Sequence, residues 1–364
     1  MKILFFIADR DFGVTSLLVG QAIPFNNIKE IDFTFISGTL EKEPGLFEKL
    51  HQNQIIPIKI EGIEFHKNFR MLINNLNKII RIQKPEFIHV QTNWQLILIA
   101  FVKIFYRSKF KIIYTIHGFR HNEKFKSIFA RFFIGMALYF FANKIIACST
   151  YAKNKFKLIS YKISILYLGV DNIFFDKSNN DDLKLDGNLQ IIFPGEFRRG
   201  KNQELIIRSF ADYLKNNNTN NIVLNLPGNG SNRESCIKLA EDLGIKDNVL
   251  FPGFISKEKV VSSIKESSIA IIPTNSETFG LCITEPFSYG RCVISRNVGV
   301  APDIIKPDEN GFLFIHDSEL SPLLTFILNN KDVILRCGNN AFEQRNLFNW
   351  DAIASEYYNL IKYK

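Results

Sequence analysis

The chain is 364 residues long, 46% apolar and 22% charged, with a formal net charge of +9. That length exceeds one ordinary hydrophobic core and predicts two domains of a soluble globular protein. The longest apolar stretch, residues 132–142, reaches about half the length a bilayer span needs, which argues against a transmembrane helix.

The apolar run after Lys2 is broken at once by Asp9, Arg10 and Asp11, so no signal peptide is read and the expected compartment is the cytoplasm. Residues 1–170 alternate short β-rich runs with helical patterns, the mark of parallel βα units. Strands are expected at 3–8, 33–37, 87–91, 111–115 and 145–148, with helices between them, for example 65–82 and 94–106. Ligands of open parallel sheets sit outside the carboxyl ends of the strands, so the loops that follow them are where function is sought. After the first strand, Asp9-x-Asp11 is too common a pair to predict a metal, whereas Gly13 reads as a tight turn that lets backbone approach a ligand. His117 ends the 111–115 strand and is followed by Gly118, a functional position, while His89 inside its strand reads as core.

Charge is uneven. Residues 1–170 hold 24 Lys/Arg against 11 Asp/Glu, and residues 171–364 hold 21 against 25. Between 103 and 162 stand 13 basic residues, interleaved with phenylalanine, and a single acid, Glu123. Such a surface attracts anionic lipid or lipid-linked phosphate, and a solvated basic face without a partner is the plainer account. Nucleic acid is not expected, because no nucleic-acid module accompanies the charge.

A polar stretch from 178 to 182 marks a domain boundary near 170–187. The second domain opens with a strand at 189–193, a basic turn holding Arg198, Arg199 and Lys201, and a helix from Gln203. The strand at 222–226 leads to Gly228-Asn229-Gly230, an incomplete dinucleotide fingerprint with Arg233 where a third glycine would stand. Next comes 249–255, a strand and turn ending at Phe254. The five cysteines lack C-x-x-C spacing and read as reduced structural thiols, with no zinc site.

Residues 268–299 organise the rest. A buried strand (269–272), a polar loop, a short helix and a second strand (292–295) hold Glu277 and Glu285 on either side of Phe279-Gly280-Leu281. A glycine at a helix start frees backbone N–H groups for an anion. Two carboxylates beside it suit hydroxyl groups of a ligand that carries both phosphate and sugar. Pro286 disfavours a helix interior, so the reading is an irregular first turn that leaves the amides of Gly280 and Leu281 free, with Thr284 as a plausible N-cap.

Glu277-x7-Glu285, with Phe279-Gly280-Leu281 inside and Gly290 closing the helix, resembles the signature of the retaining family 4 glycosyltransferases of GT-B fold. The likeness is strong over 189–315 and looser before. It implies an α/β protein with two Rossmann-like doubly wound parallel-sheet domains facing a cleft: 1–170 on the acceptor side, a linker at 171–187, 188–346 for the nucleotide sugar, and a helix at 347–364 packing back on the first domain. It further implies a metal-independent hexosyltransferase that needs no cofactor beyond a UDP- or GDP-linked sugar and acts on a glycan or lipid-linked acceptor. With the Phe- and Lys-rich composition, it points to bacterial surface polysaccharide or lipooligosaccharide assembly.

The resemblance also distributes roles. Glu277 and His117 would serve the transferred sugar, Glu285 the ribose, and Lys201 the diphosphate. Gly13, Phe254, Phe279, Gly280 and Leu281 would line the donor site. Glu196 stands where the family has arginine, so Arg198 or Arg199 would supply the second cation. Gly169-Val170-Asp171 matches the segment that leaves the first domain. The basic run 103–162, read from its charge and not from the resemblance, is the expected contact with an anionic membrane surface on the inner face of the cell membrane. The competing functions are a nucleotide-sugar epimerase or hydrolase of the same fold, and a catalytically silent module that docks on membrane.

Overall fold

The computed structural model describes all residues except 8–11, 39–42, 61–68, 118–125, 176–179, 181–182, 184, 186–188, 218–220 and 363–364, and describes backbone only for 12–16 and 126–132. The chain divides into two compact units, Met1–Gly169 with Trp350–Lys364, and Val170–Asn349.

The first unit runs β1 (Lys2–Phe6), α1 (Phe12–Asn26), β2 (Asp32–Ser37), α2 (Pro44–Gln52), β3 (Ile58–Lys59), α3 (Phe69–Gln83), β4 (Phe87–Val90), α4 (Asn93–Phe105), β5 (Lys111–Ile116), α5 (Lys126–Phe141), β6 (Lys144–Ala147), α6 (Thr150–Asn154) and β7 (Ile163–Ile165). Among the described residues its strands form one parallel seven-stranded sheet in the order β3-β2-β1-β4-β5-β6-β7. Central strands such as β4, FIHV, are buried throughout, as a sheet covered on both faces requires. The start of α4 is fixed by a capping box, in which Thr92 and Gln95 satisfy each other's backbone amides.

The second unit runs β8 (Leu189–Ile192), α7 (Gln203–Asn217), β9 (Ile222–Asn225), α8 (Arg233–Asp242), β10 (Val249–Leu250), α9 (Lys257–Glu266), β11 (Ile269–Ile272), α10 (Leu281–Ser288), β12 (Cys292–Arg296), α11 (Ala301–Ile304), β13 (Gly311–Phe314), α12 (Leu320–Leu328) and α13 (Lys331–Glu343). Its sheet, six-stranded and parallel among the described residues, has the order β10-β9-β8-β11-β12-β13. The direction of strand addition reverses between β1 and β4 in the first unit and between β8 and β11 in the second, and doubly wound folds hold their ligands at that reversal.

The last helix, α14 (Trp350–Lys362), belongs to the first unit and packs along α1. Its Tyr357 ring stacks on Phe25, with centroids 4.3 Å apart, and its hydroxyl meets His89 Nδ1 at 2.8 Å. His89 is wholly buried and spends its other nitrogen on Thr115 Oγ1 at 2.7 Å, so it is a satisfied core residue.

Two expectations are corrected. Gly13 is not a tight turn but lies in the first turn of α1. The segment from Leu281 is regular helix with Gly280 as its N-cap, so its first turn is neither irregular nor delayed to Thr284. Pro286 lies inside this helix and costs it one backbone bond, the one its nitrogen would make to the Cys282 carbonyl.

Candidate functional site

The carboxyl ends of β8 and β11 lie side by side, and the loops leaving them are tied together. The Gly200 carbonyl accepts from Asn275 N at 2.9 Å and from Thr274 Oγ1 at 3.1 Å. That knot brings the Lys201 ammonium against the Glu277 carboxylate, and the two form a hydrogen-bonded ion pair with only 14% and 16% of the side chains exposed. Burial alone would lower the pKa of Lys201, but neighbouring groups more than offset it and hold it above its ordinary value. Cys282 lies close by, yet burial pushes its thiol up to about 12, so at neutral pH Glu277 supplies the negative charge that matters.

Next to this pair α10 begins. Gly280 sits at φ 103°, a conformation that side chains rarely adopt, and a Cβ there would lie 2.7 Å from Ile283 Cδ1. The amides of Gly280 and Leu281 donate to no acceptor among the described residues. They are free because the first amides of any α-helix lack an intrahelical partner, and together with the helix dipole they favour an anion.

One turn further along α10, burial pushes the Glu285 carboxyl up to about 7. Its neighbours are Lys257 and Asp171, themselves paired at 2.7 Å. Glu285 therefore belongs to a second charged group, distinct from the Lys201–Glu277 pair.

The other expected site residues fall as follows. Arg198 reaches back to Glu196 at 3.2 Å, and Arg199 is exposed with no ion partner among the described residues. Phe254 is 86% exposed on the loop after β10. The Phe279 ring turns inward, edge-on to Phe348 at 6.1 Å, and its carbonyl accepts from Val300 N, so the ring is not offered to a ligand. The strand-end loops of β8, β9 and β10 are bonded in succession, Gly195 N to Pro227 O at 2.9 Å and Gly228 N to Gly253 O at 2.8 Å.

In the first unit, His117 immediately follows β5, and its Nε2 lies 2.6 Å from Gln91 Oε1 at the end of β4. The accepting oxygen places the proton on Nε2, while Nδ1 is buried and finds no partner among the described residues. Burial lowers the His117 pKa to about 4, so the ring is neutral at physiological pH. Gln91 was not singled out in the sequence, where nothing distinguishes it from any glutamine at a strand end. Gly118, Phe119, Asp9 and Asp11 lie outside the described residues, as does most of the 178–182 stretch.

Comparison with known proteins places this arrangement. Residues 174–344 match the family described as glycosyl transferases group 1, and residues 31–172 match glycosyltransferase family 4. The chain belongs to the group 1 glycosyltransferases and has the GT-B fold.

A glycosyltransferase of Methanocaldococcus jannaschii is 26% identical over 225 residues, which are 55% of this chain and 54% of that one. A D-inositol 3-phosphate glycosyltransferase of Corynebacterium efficiens is 26% identical over 172 residues, 46% of this chain and 41% of that one, so the match spans about half the length of these relatives. The O-antigen biosynthesis glycosyltransferase WclY of Escherichia coli is 24% identical over 274 residues, 72% of this chain and 75% of that one. Among solved structures, Anabaena HepE in complex with UDP superposes with a TM-score of 0.79 at 18% identity, covering 100% of both chains. The lipopolysaccharide outer core galactosyltransferase WaaB, in its apo form, does so with a TM-score of 0.76 at 19% identity, covering 100% of this chain and 99% of that one.

Proposed function

We propose that this chain is a retaining hexosyltransferase that moves a sugar from a UDP- or GDP-linked donor to a hydroxyl of a glycan or lipid-linked acceptor in surface polysaccharide or lipooligosaccharide assembly. The observation that carries the reading is the convergence of Lys201, Glu277 and the open amides of α10 beyond the adjacent ends of β8 and β11. HepE has been solved with UDP, and the names of WclY and WaaB place them in O-antigen and lipopolysaccharide core synthesis.

In this reading the donor diphosphate lies over the start of α10. Lys201 and Arg199 neutralise it, and the Gly280 and Leu281 amides bind its oxygens. Glu277 turns from Lys201 to the hydroxyls of the sugar, Glu285 accepts from the ribose, and Phe254 covers the base. In the first unit, His117 is proposed as a neutral polar group that serves the transferred sugar. The bond from the anomeric carbon to the diphosphate breaks with its electron pair leaving on the diphosphate. The acceptor hydroxyl attacks from the same face, and its proton passes to the departing oxygen. Protein cations do the charge work here, so the reaction is proposed to be metal-independent.

Titration calorimetry with UDP and GDP, together with turnover measurements, tests the assignment. Glu285→Ala is expected to weaken nucleotide binding, on the order of tenfold for a lost charged hydrogen bond. Glu277→Ala should leave nucleotide binding nearly intact and slow turnover on the order of a hundredfold. The reverse pattern overturns the roles, and release of free or epimerised sugar without any acceptor sinks the transferase reading itself.

A further inference from the structure

Two layers of polar side chains stand at the carboxyl ends of β4 and β5. The strands pair in parallel with His89 opposite Ile113. Side chains two residues apart return to the same face, so His89 and Gln91 share theirs with Ile113, Thr115 and His117. In the lower layer His89 Nε2 meets Thr115 Oγ1 at 2.7 Å, and in the upper layer His117 Nε2 meets Gln91 Oε1 at 2.6 Å. Both contacts take the same diagonal step, 26 positions apart in the chain.

The layers differ in one respect. The lower histidine is satisfied at both nitrogens, because the Tyr357 hydroxyl meets its Nδ1 at 2.8 Å. In the upper layer His117 Nδ1 is buried and finds no donor among the described residues, and Gln91 Nε2, buried as well, finds no acceptor. Each open atom costs about 1–3 kcal/mol, and such groups call for a partner from outside the chain. Gln91 is held in this position. It is only 3% exposed, and its backbone N donates at 2.8 Å to Gln95 Oε1, part of the capping box that fixes the start of α4. Burial keeps both imidazoles neutral at physiological pH.

We propose that Gln91 completes a sugar-hydroxyl site in the first unit. Its carbonyl oxygen fixes His117 as the Nε2–H tautomer, so that Nδ1 accepts from one hydroxyl of the transferred sugar, and its own Nε2–H donates to an oxygen of that sugar. The inference rests on the reading that His117 serves the transferred sugar. The lower layer shows the complete form of the arrangement, in which a hydroxyl fills the equivalent nitrogen of His89. A hydroxyl both donates and accepts, and so suits both open atoms. A carboxylate or phosphate oxygen only accepts and would face the Nδ1 lone pair, so the site takes an uncharged sugar group.

Nitrogen-15 NMR of the full chain labelled at histidine tests this, with His117→Ala identifying the His117 signals. The free wild type should show Nε2 protonated and Nδ1 unprotonated. The Nδ1 resonance should move to lower frequency with whichever of UDP-glucose, UDP-galactose, UDP-N-acetylglucosamine and GDP-mannose binds tightest, and stay in place with UDP or GDP alone. Gln91→Leu, close in size, should mix the two tautomers and weaken that sugar nucleotide on the order of tenfold relative to the bare nucleotide. In a His117→Ala background the same substitution should lose most of its effect, because Gln91 acts mainly through His117. Should Gln91→Leu fail to fold, the wild-type signals still decide. An Nδ1–H tautomer in the wild type, an Nδ1 resonance unmoved by a bound sugar nucleotide, or an undiminished effect of Gln91→Leu beside His117→Ala would each overturn the proposal. Failure of UDP and GDP themselves to bind would instead strike the donor reading, and the tautomers would still decide whether Gln91 orients His117.

Discussion

Burial moves the carboxyl of Glu285 from its ordinary 4.5 up to about 7, and the nearby Lys257 ammonium offsets this only in part because Asp171 already neutralises it. Between pH 4.5 and 7 the folded chain therefore holds a proton that the unfolded chain has released. Stability falls as pH rises through that window and stays lower above it. Glu285→Gln removes the penalty: a gain on the order of 3 kcal/mol is expected above pH 7 and none at pH 4, read from denaturant melts at the two pH values. No gain at alkaline pH would show that burial does not raise the pKa of this carboxyl. The same variant should bind nucleotide less well, since hydrogen bonds from the ribose to an ionised carboxylate are stronger than those to a neutral amide. Such a conflict between stability and binding is common where a site is built into a fold. Glu277 and Glu285 stood out in the sequence by their spacing around a helix-start glycine, and Lys201 by its place in a basic turn at a strand end. Their partners did not. Lys201 and Glu277 are 76 positions apart and meet only because the Gly200 carbonyl draws the second loop onto the first. The Phe279 ring, read as part of the donor site, proves to be core, since sequence does not say which way a loop phenylalanine turns.

Among the elements, those that read most clearly are strands buried on both faces. The run IAII of β11 occupies the expected 269–272, and helix α7 starts at the expected Gln203. Connections read less well, because their shape is set by backbone hydrogen bonds between loops remote in sequence. The glycines after β9 are the clearest case. In sequence Gly228 is a fragment of a dinucleotide fingerprint. In the fold it stands at φ 146° with the Gly195 carbonyl so near that a Cβ would lie 1.9 Å from its oxygen. Gly228→Ala must push the β8 loop, and with it the Lys201 turn, out of place. A destabilisation of about 3 kcal/mol or more is expected, with nucleotide affinity falling in the fraction that still folds. Gly244→Ala is the control: its φ of 71° is strained in the same sense, but nothing lies within 4 Å of the added Cβ. Equal losses from the two would assign the effect to backbone strain and remove the packing argument.

At the scale of the whole molecule, the second unit is an insertion whose two ends meet. Val170 N donates to Phe348 O at 3.0 Å, so the chain enters and leaves at one place, the arrangement expected of a domain able to fold alone. The first unit lacks that independence. Its sheet core is completed by α14, whose Tyr357 stacks on Phe25 and bonds His89, and whose Trp350 lies against Gly20 and Gly169. Without α14, His89 Nδ1 loses its buried partner and the Phe25 ring loses its cover, penalties of about 1–3 kcal/mol and of several kcal/mol respectively. Residues 170–349 expressed alone are therefore expected to melt in one cooperative step and to bind UDP as the full chain does, since Lys201, Glu277 and α10 all lie within them. Residues 1–169 without α14 should be aggregated or molten, and recover order when 350–364 are joined back through a short linker. The two readouts separate the claims: a 170–349 fragment that melts cooperatively yet ignores UDP, when the full chain responds, would mean that the first unit completes the nucleotide site, whereas a fragment with no cooperative transition would refute its independence as a fold.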